Sequence, residues 1–201
     1  MDRAERLEVM RPGVLACTAC ALRGQASQVV FGEGNPEARL VLIGEAPGAE
    51  EDRQGRPFVG AAGQLLDKML GAMGMTRGEH AYILNVVKCR PPGNRAPTEG
   101  EAAACRAHLD RQLTILDPPI VVLLGSTAVR SLIAPTARVT QVRGQWVERD
   151  GRWWMPTYHP AALLRNPSWK RPAWDDLKQV VDKYRELVDP THDSVYYPLE
   201  R

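Results

Sequence analysis

The stretch that decides the fold is Arg39-Leu40-Val41-Leu42-Ile43-Gly44, followed at once by Glu45-Ala46-Pro47-Gly48-Ala49-Glu50-Glu51-Asp52. An unbroken apolar run of strand length, stopped by glycine and proline, reads as a strand covered on both faces. Residues 81–87 and 120–125 repeat the pattern, and residues 153–158 give a fourth strand. Helical patterns lie between them. Residues 59–73 carry Leu65, Leu66, Met69, Leu70 and Met73 at helical spacing, with the methionines as core filling. Thr98-Glu99-Gly100-Glu101 is a capping box that opens a helix toward Leu116, and residues 126–133 and 173–188 supply two more helices. Strands alternating with helices predict an α/β fold, a parallel sheet between helix layers with right-handed crossovers. Residues 139–149, containing Arg143-Gly144-Gln145, suggest a small hairpin appended to the sheet.

The chain of 201 residues is 44% hydrophobic, enough for one sizeable core and one domain spanning residues 1–201. Its 16 prolines and 17 glycines punctuate periodic segments without forming a linker. The first six residues carry charges where a signal peptide needs apolar side chains, and no apolar run is long enough for a membrane helix. A cytoplasmic, monomeric protein with no membrane partner is expected. With 26 basic against 24 acidic residues, the net charge of +2 excludes a histone-like binder, so any polyanion is held by local charge. No phosphate-binding loop or nucleophile elbow is present, and Gly32-Glu33-Gly34 precedes the first strand instead of following it, which leaves a dinucleotide-binding fold unsupported.

In a parallel sheet, ligands collect outside the carboxyl ends of the strands. The unusual residues fall there: the 44–52 loop running into Arg56-Pro57-Phe58-Val59-Gly60, then Asn85 with Lys88-Cys89-Arg90-Pro91, and Tyr158-His159-Pro160 with Leu163-Leu164-Arg165. Four cysteines in a reducing compartment favour metal ligation over disulfides. Cys17-x-x-Cys20 brings two thiolates to one centre, Cys89 and Cys105 complete a tetrathiolate set, and the chemistry alone admits zinc or an iron–sulfur cluster.

Together, Gly44-Glu45-Ala46-Pro47-Gly48, Arg56-Pro57-Phe58-Val59-Gly60, Asn85-x-x-Lys88-Cys89-Arg90-Pro91 and His159-Pro160 resemble the family 4 uracil-DNA glycosylases, over residues 17–168. The resemblance implies a three-layer α/β/α sandwich around a four-stranded parallel sheet and hydrolysis of the bond between uracil and deoxyribose in base-excision repair. It also implies a structural [4Fe–4S] cluster on Cys17, Cys20, Cys89 and Cys105, with zinc the less favoured occupant, and single- and double-stranded uracil-containing DNA as partner.

On that resemblance Asn85 reads uracil, its NH₂ donating to O4 and its carbonyl accepting from N3–H, an arrangement that mismatches cytosine twice. Phe58 is either the stacking platform or simply core. Glu51 in the 48–52 loop is the preferred wall against the thymine methyl. His159 donates to O2, the backbone of Ala46 and Gly48 assists, and Glu45 is a candidate to position water because Ala46 has no polar side chain. Leu163 and Leu164 are either core or the wedge that fills the space of the flipped base, with Arg165 as phosphate anchor. Arg53, Arg56, Lys88, Arg90, Arg95, Lys170 and Arg171 would add a basic face. The loop at residues 90–97 has no histidine, so turnover is expected instead of a covalent DNA adduct. A relative acting on other bases and a non-catalytic iron–sulfur damage-binding module are the competing readings. Neither a recruiting replication or repair partner nor a role for residues 189–201 is legible.

Overall fold

The computed structural model describes residues 1–199. Its helices are α1 (Arg3–Leu15), α2 (Ala49–Gln54), α3 (Ala61–Ala72), α4 (Glu99–Leu116), α5 (Ser126–Leu132), α6 (Val139–Val142), α7 (Pro160–Arg165) and α8 (Lys170–Leu187). Its strands are β1 (Glu33–Gly34), β2 (Leu40–Gly44), β3 (Ala81–Asn85), β4 (Ile120–Leu124), β5 (Val147–Arg149) and β6 (Arg152–Thr157). They form one sheet in the order β1-β3-β2-β4-β6-β5.

The expected four parallel strands are its centre, β3-β2-β4-β6. Every residue of β2, β3 and β4 is buried, as a strand covered on both faces by helices requires. The sheet nevertheless has six strands, a correction to the four-stranded expectation, because a short antiparallel strand closes each edge. The hairpin expected within residues 139–149 is corrected as well: α6 occupies its first part, and β5 pairs with β6 across the Asp150–Gly151 turn. Both turn residues have positive φ, 54° and 70°, which Asp and Gly tolerate in a tight hairpin.

Local chemistry sets the helix boundaries. Thr98 caps α4 as the sequence indicates, its Oγ1 accepting the Glu101 N–H while the Glu101 carboxylate takes the Thr98 N–H at 2.8 Å. Asp2 and Glu5 form the same reciprocal box at α1. Helix α3 starts at Ala61 and not at residue 59, because Gly60 is its N-cap in an extended conformation, φ −74° and ψ −167°; the N–H groups of Val59 and Gly60 go to the Glu51 carboxylate. No helix among the described residues is long and apolar enough to cross a membrane.

The parallel register sets Gly44 beside Asn85 and Leu124 beside Thr157. The segments that follow β2, β4 and β6 therefore leave the sheet at one edge. The segment after Leu187, which carries no readable sequence signal, folds back on α3: His192 Nε2 bonds to the Met73 carbonyl at 2.8 Å, and Arg185 donates to the carbonyls of His192 and Tyr197.

Candidate active site

At that edge lies a cavity of about 570 Å³, within the range of small-molecule sites. Glu45, Ala46, Gly48, Glu51, Phe58, His159 and Arg165 from the sequence reading all line it, with Asn94, Ser126, Tyr158 and Trp169.

His159 ends the β6 segment and caps α7. Its Nδ1 accepts the Ala161 N–H at 3.1 Å, so the single proton of the neutral ring sits on Nε2, which is left as a donor. Burial, assisted by the Arg165 charge and opposed by Glu51, pushes the imidazole pKa down to about 4, so the ring is neutral at physiological pH. The backbone behind it is firmly held. Thr157 donates to the buried Asp176 at 2.6 Å, and Asp176 is paired with Arg143, which also donates to the Pro172 carbonyl. Gly125 has φ +91°, and a Cβ there would stand 2.8 Å from His159 Cβ, so this crossing admits only glycine.

Phe58 is 5% exposed, and its ring centroid lies 5.4 Å from that of His159 at 30°. A Cβ built on Gly44 would fall 2.5 Å from Phe58 Cζ and 2.6 Å from Asn85 Oδ1, which places the carboxamide and the aromatic ring against the same glycine. Asn85 is buried, does not itself line the cavity wall, and its Oδ1 has no hydrogen-bond partner. An unpaired buried carbonyl costs ~1–3 kcal/mol, so a native protein that keeps one invites a ligand-based explanation.

Glu51 is committed to backbone. One carboxylate oxygen takes the Val59 and Gly60 N–H groups at 2.8 Å each, and the other takes Gly48 N–H at 3.1 Å. The side chain is thereby fixed as a rigid piece of wall. Glu45 accepts a short hydrogen bond from the Thr127 hydroxyl. Thr127, with Gly125 and Ser126, belongs to the segment after β4, which sequence reasoning passed over; a Gly-Ser-Thr run at the carboxyl end of a buried strand was the available signal.

The structure separates the residues expected to face DNA, and it corrects one of them, Lys88. Leu163 is 2% exposed and packs in the core, whereas Leu164 is 44% exposed; the helical turn of α7 separates the two neighbours. Lys88 is fully buried, not on a basic face, and burial pushes its pKa down to about 8. Arg53 pairs with Glu50, Arg56 with Glu33 and Arg95 with Glu101 at 2.8, 2.6 and 2.7 Å, so these cations are partly neutralised. Arg90 donates to Asn94 at 2.7 Å. Arg165, which lines the cavity, is exposed, as are Leu164, Lys170 and Arg171.

A second, mostly apolar cavity is walled by all four cysteines with Val14, Leu22, Val29, Val87, Lys88 and His108. The thiols are free of disulfides. Backbone N–H groups of Ala19 and Lys88 point at Cys17 Sγ and Cys105 Sγ at 3.5 and 3.4 Å. Burial raises the Cys89 pKa to about 11 and the Cys105 pKa above its usual value. Only a bound cationic centre would hold such thiols as thiolates. Among the described residues no three Cys, His, Asp or Glu side chains are grouped closely enough to share a single metal ion.

Comparison with known proteins identifies the family. The family model described as the uracil DNA glycosylase superfamily matches residues 31–178. The chain is 47% identical over 181 residues to the type-4 uracil-DNA glycosylase of Thermotoga maritima, covering 89% of this chain and 91% of that protein. The chain belongs to the type-4 family of the uracil-DNA glycosylase superfamily. The type-4 enzymes of Sulfurisphaera tokodaii and Archaeoglobus fulgidus are 40% and 38% identical to it, over 97% and 88% of its length and 91% and 92% of theirs.

Proposed function

We propose that the protein excises uracil from single- and double-stranded DNA by hydrolysing the N-glycosidic bond, leaving an abasic site and free uracil. The observation that carries this is a cavity lined by a neutral histidine with its Nε2–H free and by an aromatic ring 5.4 Å away, with a buried carboxamide whose carbonyl is unpaired behind that ring, against the same Gly44.

A base inside the duplex is out of reach, so the nucleotide swings out of the stack. Phe58 then stacks on uracil, for which ~1–3 kcal/mol is typical. Asn85 Oδ1 accepts N3–H, relieving its own unpaired state, while Nδ2 donates to O4; cytosine would oppose acceptor to acceptor and donor to donor. The Glu51 wall, fixed by three N–H groups, stands where a methyl at C5 would need room. As the C1′–N1 bond breaks, its electron pair passes into the uracil ring and charge grows on O2. Nε2–H of His159 stabilises that charge without full proton transfer. Water adds to C1′, and its proton leaves toward Glu45, whose carboxylate is held by Thr127. The 90–97 loop offers no histidine to trap the sugar, so the enzyme turns over.

Arg165, Lys170 and Arg171 supply phosphate contacts, and Leu164 supplies the wedge. Leu164→Ala is expected to leave stability within about 0.5 kcal/mol yet slow excision from duplex roughly tenfold more than from single strands. Leu163→Ala is expected to cost ~2–5 kcal/mol by opening the core. Urea denaturation and paired kinetic assays on both substrates check the contrast.

Cys17, Cys20, Cys89 and Cys105 fit a [4Fe–4S] cluster: four thiols on one apolar cavity, with backbone N–H donors to two of the sulfurs. Cys17 and Cys20 after α1, Cys89 in the β3–α4 connection and Cys105 within α4 would hold the group, which would then serve structure by joining those segments. Brown protein with about four iron atoms per chain is expected. Iron removal is expected to lower the melting temperature, and Cys105→Ser to lose both colour and iron. Colourless, zinc-containing protein would refute the assignment.

Function is tested by incubating a uracil-containing oligonucleotide with the protein, then alkali. Strand cleavage at uracil is expected, and an intact strand would end the glycosylase reading.

A further inference from the structure

Phe58 carries its ring at φ +52°, a left-handed conformation that side-chain-bearing residues avoid. Something outside the residue must hold it there. Behind the segment, in the turn between α3 and β3, lies Arg77, whose side chain is only 16% exposed. Its Nη1 donates to the Pro57 carbonyl at 2.9 Å and its Nη2 to the Phe58 carbonyl at 2.7 Å. The guanidinium is itself aimed by Asp67, which accepts from Nε at 2.9 Å, and lies 3.7 Å from Glu33. Glu33 also takes both Arg56 donors, at 2.6 and 2.7 Å. Gly32-Glu33-Gly34, which has no part in the chemistry, thus supplies the anchor. A Cβ on Gly63 would collide with the Phe58 carbonyl, so α3 also leaves space for this turn.

We propose that Arg77 is a positioning residue for base stacking: its planar fork holds two successive carbonyls, and through them sets the Phe58 ring against Gly44, Asn85 and His159. A fixed charge with donors in one plane suits the task, and the compact ammonium of lysine would satisfy it only in part. Arg77 touches no substrate. The kinetic part of this inference rests on the uracil-excision reading; the geometric part does not.

The chain has two phenylalanines, Phe31 and Phe58, so replacing both with 4-fluorophenylalanine gives two fluorine signals, assigned with Phe31→Leu. Arg77→Ala is expected to shift or broaden the Phe58 signal and leave that of Phe31 in place, with Arg77→Lys intermediate. It is also expected to lower kcat on uracil DNA about 30-fold, the scale of a modest misplacement, with KM within about twofold. In a Phe58→Leu background the same change is expected to cost less than about threefold, because the two residues act as one unit. An unmoved Phe58 signal, or an equal loss in both backgrounds, would overturn the proposal. If Arg77→Ala does not fold, Glu33→Gln loosens the same anchor and is expected to move the Phe58 signal in the same direction; an unmoved signal there would overturn it equally. Absence of uracil release by the unaltered protein would end the excision reading, and the fluorine signals would still decide whether Arg77 sets the ring.

Discussion

Replacing His159 with alanine is expected to slow single-turnover uracil release by ~10²- to 10³-fold, the range for deleting one donor to a developing oxyanion. Part of the damage would be structural, since Nδ1 caps α7 and losing a cap costs ~1 kcal/mol. His159→Asn separates the two effects: its carbonyl can still accept the Ala161 N–H, so the melting temperature is expected to hold while the rate falls. The pH profile gives a second check. Because burial lowers the His159 pKa to about 4, excision is expected to stay flat from pH 8 to about 5 and to decline as the ring protonates near 4. A solvent-exposed imidazole would instead bring the decline near its ordinary value of 6.5. The linkage runs the same way. Below about pH 6.5 the unfolded chain binds a proton that the folded ring refuses, so the fold loses stability as pH drops toward 4.

Asn85→Leu is the second large effect, and its two readouts move in opposite senses. Excision of uracil is expected to fall by ~10³-fold or more, because a site built on paired hydrogen bonds discriminates in that range and the leucine offers neither donor nor acceptor. Stability is expected to hold or rise, because the substitution removes a buried carbonyl without a partner at similar side-chain volume. Thermal unfolding of the free protein beside single-turnover kinetics measures both. A drop of several degrees in melting temperature with excision retained would reverse the assignment of Asn85 from substrate reader to structural residue.

The sheet was legible because burial on both faces writes an unbroken apolar word, as in residues 39–44 and 120–125. The edge strands were not: β1 and β5 span two and three residues, too short for any period to show. Asn85 and His159 could be found at strand ends and Phe58 in the segment that follows the first, but their approach to one another depends on the Gly44–Asn85 register, which no local pattern encodes. Charge was least readable. Lys88 sits among cations in the chain yet is buried beside the cysteines, and Arg56 meets its neutralising carboxylate 23 residues away. Leu163 and Leu164 are indistinguishable by composition, and only the phase of α7 assigns one to the core and the other to solvent. Arg77 carries no signal in the sequence, since nothing nearby announces that its partners are main-chain carbonyls 20 and 19 positions back.

All of this turns on one base being gripped from two sides by groups 74 positions apart in the chain. A crystal structure of the protein with free uracil addresses that most directly. We expect the ring stacked on Phe58, both polar atoms of the Asn85 carboxamide at ~3 Å from its pairing edge, and His159 Nε2 at ~3 Å from O2. Uracil bound at another cavity, or held with Asn85 still unpaired, would contradict the account.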